Sequence, residues 1–196
     1  MIIGLTGGIA SGKSTACRML ASHTPMRVFD ADQAVGSLLD QEPAVASGIQ
    51  RDFGARFLAA NGKPDRAKLR EAIYADLGAR RRLEGLLHPL VRARWLAMRE
   101  ECLAARSPML ADIPLLYETG AEAFFDVIVA VGCSRATQLD RLKARGIDRP
   151  LGEAMLASQW SIGQKLSRAD MAIWNDGSPA ALARQTKLLA YQLFPA

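Results

Sequence analysis

The residues best equipped for chemistry stand at the head of the chain. Glycines at 7, 8 and 12 are followed by Lys13, Ser14 and Thr15. The spacing Gly7-x4-Gly12-Lys13-Ser14 is that of a loop built to hold phosphates. Glycine lets the backbone curl until several N–H groups face one anion. A helix opening near Gly12 adds its positive end. Lys13 supplies a mobile cation for β- and γ-phosphates, and the Ser14 hydroxyl can ligate Mg²⁺. Gly8, Ala10, Ser11, Gly12, Lys13, Ser14 and Thr15 are therefore the expected contacts of a nucleotide's phosphates. Ala10 fits such a loop if its φ stays negative.

Further candidates lie downstream. Asp30-Ala31-Asp32 ends the apolar run Met26–Phe29. Carboxylates at the C-terminal end of a parallel strand sit at the ligand crevice. Either aspartate can instead cap a helix; since both cannot fill one cap, one is free, and Asp32 is the better candidate for a base. Met109–Ile113 is a second apolar run, with Asp112 near its end, which suits a Mg²⁺-organising carboxylate or one that caps the following turn. Glu118 follows. Gln138, Arg141, Arg145, Arg149, Lys165 and Arg168 populate a basic segment jointed by Gly146, Gly152 and Gly163. Arginines that stay charged and fork onto two oxygens suit a cover that closes over a transferring phosphate. A solvated helical hairpin has the same composition. His88, beside Pro89, suits a structural role more readily than a catalytic one.

These residues need elements to position them. Ile2–Leu5 reads as a buried strand, and Thr15–Ala21 as a helix. Met26–Phe29, Met109–Ile113, Asp126–Val131 and Met171–Trp174 read as four more strands. Such short, continuous apolar runs suit a parallel sheet covered on both faces. Helices are expected over 31–39, in an amphipathic stretch from Val45 to Phe57, and over 66–76 behind an Asp65 cap. Two more are expected over 79–87 and 89–105, with Pro89 in a first turn. Ser134 caps a helix to about Ala144, and Ser178 with Pro179 opens one to about Leu193. Sixty helical residues between two strands exceed what a crossover needs. They read as a substrate-holding insertion within one domain.

Composition narrows the class. The 196 residues are 49% hydrophobic and 23% charged, ordinary for a globular protein. No apolar run reaches the length of a membrane span, and no secretory signal is expected at Met1. Cys17, Cys102 and Cys133 are odd in number and far apart, which argues for a reducing, cytoplasmic setting and against disulfides or zinc. A net charge of +5 with no basic run interleaved by aromatics favours phosphorylated metabolites over nucleic acid.

Taken together, the motifs resemble those of the dephospho-coenzyme A kinase family. Leu5–Ser14 matches its opening signature, Asp30-Ala31-Asp32 its second-strand motif, and Leu83-Glu84 with His88-Pro89 its middle signature. Asp112–Glu118 matches the third-strand motif, Gln138 with Arg141 and Arg145 the lid, and Arg168–Asp170 with Asn175–Gly177 the closing strand and turn. The resemblance implies an α/β fold, the three-layer P-loop kinase fold, with a five-stranded parallel sheet in the order 2-3-1-4-5. It implies one domain over 1–196. A core occupies about 1–42, 107–137 and 169–196, a helical substrate-binding region about 43–106, and a helical lid about 138–168. It further implies that ATP with Mg²⁺ phosphorylates the ribose 3′-hydroxyl of dephospho-coenzyme A. Asp32, Lys13 and Arg141 would be catalytic. Arg141, Arg145, Asn175 and Gly177 would join the loop around ATP. Asp32, Arg66, Leu69, His88 and Asp112 would face the acceptor, and Ser14 and Asp112 would hold Mg²⁺, in part through water. No nucleic acid or membrane partner is implied, and the chain would be a monomer or weak homo-oligomer. The alternatives are another P-loop nucleoside or nucleotide kinase, and a nucleotide-dependent switch without an acceptor.

Overall fold

A computed structural model describes residues 1–195. Its chain clusters into two compact units, one of residues 1–30 and 98–195 and the other of residues 31–97.

The first unit is built on a parallel sheet. Strands β1 (Ile2–Gly7), β2 (Arg27–Asp30), β3 (Met109–Asp112), β4 (Val127–Gly132) and β5 (Met171–Trp174) lie in the order β2-β3-β1-β4-β5. The expected order is the observed one. Every residue of β1 is buried, as a central parallel strand requires. Its alternation sorts side chains to two faces. Ile3 and Leu5 join Ala16, Cys17 and Leu20 of α1 (Lys13–His23) and Leu182, Leu189 and Leu193 of α9 (Pro179–Leu193) in one core cluster. On the other face Gly4 is needed for want of room: a Cβ there would stand 2.7 Å from Leu116 Cδ1 and 3.0 Å from the Phe125 ring. Burying each large aliphatic side chain is worth about 1.5–3 kcal/mol. The strand that ends in the glycine loop is thus anchored from both faces.

Register sets the strand ends. Leu5 pairs with Asp112, and Asp30 with Asp112 on the next strand. Two carboxylates therefore leave neighbouring strands at one level. Asp126, expected inside β4, lies just before it; its Oδ2 accepts the Ile2 N–H at 2.7 Å.

Between β4 and β5 run α6 (Arg135–Ala144), α7 (Arg149–Ala157) and α8 (Ile162–Leu166). Ser134 caps α6 through Thr137 N–H, as expected, and Ser161 with Gln164 forms a capping box on α8.

The second unit is helical: α2 (Ala31–Gln41), α3 (Pro43–Phe53), α4 (Arg66–Ala75) and most of α5 (Leu77–Ala104). Two expectations need correction. The stretch Val45–Phe57 is not one helix. Gly54 takes φ +94° and ends α3, and a 3-10 turn follows over Ala55–Phe57. Nor does the chain break at Pro89, which lies inside the continuous 28-residue α5. Ala79, Leu83, Leu87, Val91 and Trp95 form a buried stripe at four-residue spacing that runs through the proline. The burial of that stripe outweighs a missing hydrogen bond and a ring clash, which cost about 3 kcal/mol. Asp65 caps α4 as expected, accepting from Ala67 and Lys68 N–H. Asp76 opens α5, its carboxylate accepting from Gly78 and Ala79 N–H.

Because Pro89 is exposed and only its backbone opposes the helix, Pro89→Ala is expected to raise unfolding stability by about 2 kcal/mol. Urea denaturation of the two proteins checks this, and an unchanged or lower midpoint would contradict it.

Candidate active site

The glycine loop joins β1 to α1. Gly12 caps α1 at φ +88°, and the Asn175 amide fills the space where a side chain would go. Both conditions call for glycine. Ser11 N–H donates to Gly8 O at 3.2 Å, closing the tip. Three outward carbonyls are then taken by side chains from elsewhere. Gln138 Nε2 donates to Ile9 O at 2.7 Å, Arg141 Nη1 to Ala10 O at 3.1 Å, and Asn175 Nδ2 to Ser11 O at 2.8 Å. Arg141 Nη2 also donates to Asn175 O at 2.8 Å, tying the donors together. With these carbonyls engaged, the loop's N–H groups other than that of Ser11 are left for an anion.

Ala10 departs from expectation: its φ is +57°, not negative. A left-handed conformation costs an alanine about 1–2 kcal/mol. The three hydrogen bonds on neighbouring carbonyls sustain it.

Lys13 and Asp112 form a buried ion pair across the mouth of the loop, with 9% and 3% of their side chains exposed. The Ser11 hydroxyl is 1% exposed and its Oγ has no hydrogen-bond partner. A buried hydroxyl without a partner, on a glycine loop of this spacing, fits a site that awaits a polar ligand such as a phosphate oxygen. Ser14 is exposed at the first turn of α1. One turn on, burial foremost pushes the Cys17 thiol up to about 12, with Asp112 adding to it and Lys13 opposing.

The remaining expected residues fall as follows. Asp32 is exposed in the first turn of α2, two residues after Asp30 at the end of β2. In the same helical unit Arg66 Nη2 donates to Gly36 O at 2.8 Å and pairs with Asp40 at 2.7 Å. Leu69 is 3% exposed, so packing occupies its side chain. His88 is half-buried on α5, and desolvation holds its pKa below the usual histidine range, against an opposing pull from Glu84. In the sheet unit, Arg145 is exposed at the end of α6, and Gly177 lies in the exposed turn after β5. Asp176 in that turn accepts the Ser134 N–H at 2.8 Å, which holds its carboxyl below the ordinary range and ties the turn to the start of α6.

The structure thus gathers Ser11, Gly12, Lys13, Asp112, Arg141 and Asn175 around one loop. Sequence reasoning had Arg141 and Asn175 touching ligand, and missed that they hold loop carbonyls. Gln138 and Arg141, three apart on one helix face, carry a signal for this in their spacing. Thr6 and Lys165 were missed as a pair: both donate to Pro114 O, at 3.0 and 2.6 Å.

Known proteins resemble this chain over nearly its whole length. A model of the family described as Dephospho-CoA kinase matches residues 1–181. A dephospho-CoA kinase of Anaeromyxobacter dehalogenans is 44% identical over 195 residues, spanning 96% of this chain and 90% of that protein. One from Methylococcus capsulatus is 38% identical over 190 residues, spanning 96% and 94%. A crystal structure from Thermus thermophilus superposes with a TM-score of 0.75 at 29% identity, covering 99% of this chain and 98% of the other.

Two outcomes follow from the site. Ala10→Gly is expected to raise stability by about 0.5–1 kcal/mol, the strain relieved less the entropy glycine adds to the unfolded chain; thermal unfolding reads it, and a lower midpoint would speak against the strained loop. At pH 8 a thiol at about 12 is ionised in about one molecule in ten thousand. Iodoacetamide should therefore leave Cys17 unlabelled in the native protein and label it in guanidinium; rapid native labelling would contradict that burial.

Proposed function

The chain belongs to the dephospho-CoA kinase family, and we propose on that premise that it transfers the γ-phosphoryl group of ATP to the ribose 3′-hydroxyl of dephospho-coenzyme A. The products are coenzyme A and ADP. The observation that supports the donor half most directly is the glycine loop itself, with its carbonyls held outward and the buried Ser11 hydroxyl left unpaired.

In this reading the γ-phosphorus is attacked by the 3′-oxygen as its bond to the β–γ bridging oxygen breaks. Catalysis of such a transfer is mostly positioning and electrostatics. The loop N–H groups and Lys13 neutralise charge on the β- and γ-phosphates. Asp32 orients the 3′-hydroxyl and takes its proton as the new bond forms. Arg141 keeps the loop in shape from behind, and Arg145 closes toward ATP with the segment 138–168. Asn175 and Gly177 border the adenine. The residues 43–106 hold the acceptor through Arg66 and His88, with the buried Leu69 packed inside that region, and 1–42, 107–137 and 169–196 form the nucleotide core.

Ser14 and Asp112 offer a hydroxyl and a carboxylate, the hard oxygen donors that Mg²⁺ prefers. Among the described residues no cluster of three acidic, histidine or cysteine side chains could hold a metal alone. ATP phosphates and water would complete the shell, the usual arrangement for Mg²⁺ in kinases. When bound, the ion would offset charge on the phosphate oxygens. No helix among the described residues is long and apolar enough to cross a membrane.

A coupled ADP-release assay with dephospho-coenzyme A, adenosine, AMP and cytidine monophosphate tests the acceptor. Selective stimulation by the first is expected; equal or greater stimulation by a nucleoside monophosphate would favour another kinase, and acceptor-independent hydrolysis a switch. Asp32→Asn is expected to lower kcat on the order of 10²-fold or more with ATP binding kept. Near-normal turnover in that variant, with the loss found in Asp30→Asn instead, would move the base to Asp30.

A further inference from the structure

Lys165 is the unexpected charge in the fold. It lies on α8, is 0% exposed, and ranks first by volume among the fully buried side chains. Desolvation pulls its pKa below the usual lysine range, and Glu118 pulls it back. Its ammonium donates to Pro114 O at 2.6 Å and pairs with Glu118 Oε1 at 2.9 Å. The same Oε1 accepts the Trp160 N–H at 3.0 Å, while Glu118 Oε2 is buried with no hydrogen-bond partner.

If only space and neutrality were needed, an aliphatic pair would serve as well or better, because burying two charges is costly even when they are paired. What an aliphatic side chain could not do is grip a carbonyl. Pro114 O is held from two sides: Lys165 donates from α8, and Thr6 Oγ1 donates at 3.0 Å from β1, just ahead of the glycine loop. One residue earlier, Ile113 N–H donates to Leu5 O at 2.9 Å. One residue before that is Asp112, the partner of Lys13. The peptide that leaves β3 is thus pinned immediately after the carboxylate that faces the phosphate lysine.

We propose that Lys165 is a positioning residue for phosphoryl transfer: by holding the Pro114 carbonyl it fixes the turn that keeps Asp112 facing Lys13. Glu118 makes the buried ammonium tolerable, and Thr6 is the second hand on the same carbonyl. The proposal rests on the kinase reading above and gives it a residue outside the ligand-contacting set.

The test separates folding from positioning. Lys165→Met should lower the thermal midpoint, because Glu118 loses its counter-charge, and should lower kcat at least tenfold with dephospho-coenzyme A and ATP. The double variant Lys165→Met/Glu118→Gln removes the uncompensated carboxylate. Its midpoint should return toward that of the parent, while kcat stays at least tenfold down and the affinity for metal-free ATP changes less than threefold. Thr6→Val, which loses only the other donor to the carbonyl, should lower kcat threefold or more with little change in midpoint. Recovery of kcat together with the midpoint in the double variant would overturn the proposal, as would parental turnover in a folded Lys165→Met protein. Should neither Lys165 variant fold, parental kcat in Thr6→Val overturns it. The parent protein in the same assay distinguishes the two levels: no ADP release with dephospho-coenzyme A overturns the kinase reading and the positioning role together, whereas the variant outcomes bear on positioning alone.

Discussion

A peptide loop that turns its N–H groups toward one point must turn its carbonyls away, and each of those carbonyls needs a donor. Here the donors are the Gln138 amide, the Arg141 guanidinium and the Asn175 amide, which take the carbonyls of Ile9, Ala10 and Ser11 in sequence. Much of the sheet unit follows from supplying them. β4 must deliver α6 beside β1, β5 must end at Asn175 on the far side of β4, and the turn after β5 must be tied to the start of α6 through Asp176 and Ser134. The order β2-β3-β1-β4-β5 meets these demands with the loop at its centre. The cost appears as a left-handed Ala10, and the result is a buried Ser11 hydroxyl with no partner of its own.

The charges at the strand ends obey a second constraint. Asp30 and Asp112 leave adjacent strands in register. Lys13 reaches the second of them, and Lys165 stands two residues further along, at Pro114. Lys13 meets a side-chain carboxylate at the end of a strand, and Lys165 a backbone carbonyl just beyond it. A site that must neutralise a transferring phosphate gains from charges already in place, since they need no reorganisation at the moment of reaction.

Much of this was legible in the sequence. The glycine loop declared itself through spacing, five apolar runs gave five strands, and the caps Asp65, Ser134 and Ser178 lie where side-chain chemistry puts them. The order of the strands did not come from periodicity, which is blind to neighbours across a sheet; it came from the resemblance to a known family. What failed did so for physical reasons. Pro89 reads locally as a helix start, but a stripe of buried leucines, valine and tryptophan carries the helix through it. Ala10 reads locally as a negative-φ residue, but hydrogen bonds from distant side chains impose the opposite sign. The carbonyls that Arg141 and Lys165 hold were not legible, because sequence reveals a charge but not what it faces. Their carbonyl partners lie 131 and 51 residues away.

The central claim is that one phosphoryl group moves from ATP to one hydroxyl. Following ³¹P resonances during a single turnover, with dephospho-coenzyme A and ATP·Mg²⁺ at enzyme-level concentrations, tests it directly. The account predicts that the γ-phosphate signal is replaced by one phosphomonoester signal coupled to the ribose 3′ proton, with ADP formed in equal amount. Inorganic phosphate beside unchanged acceptor, or a phosphate coupled to a different carbon, would contradict it.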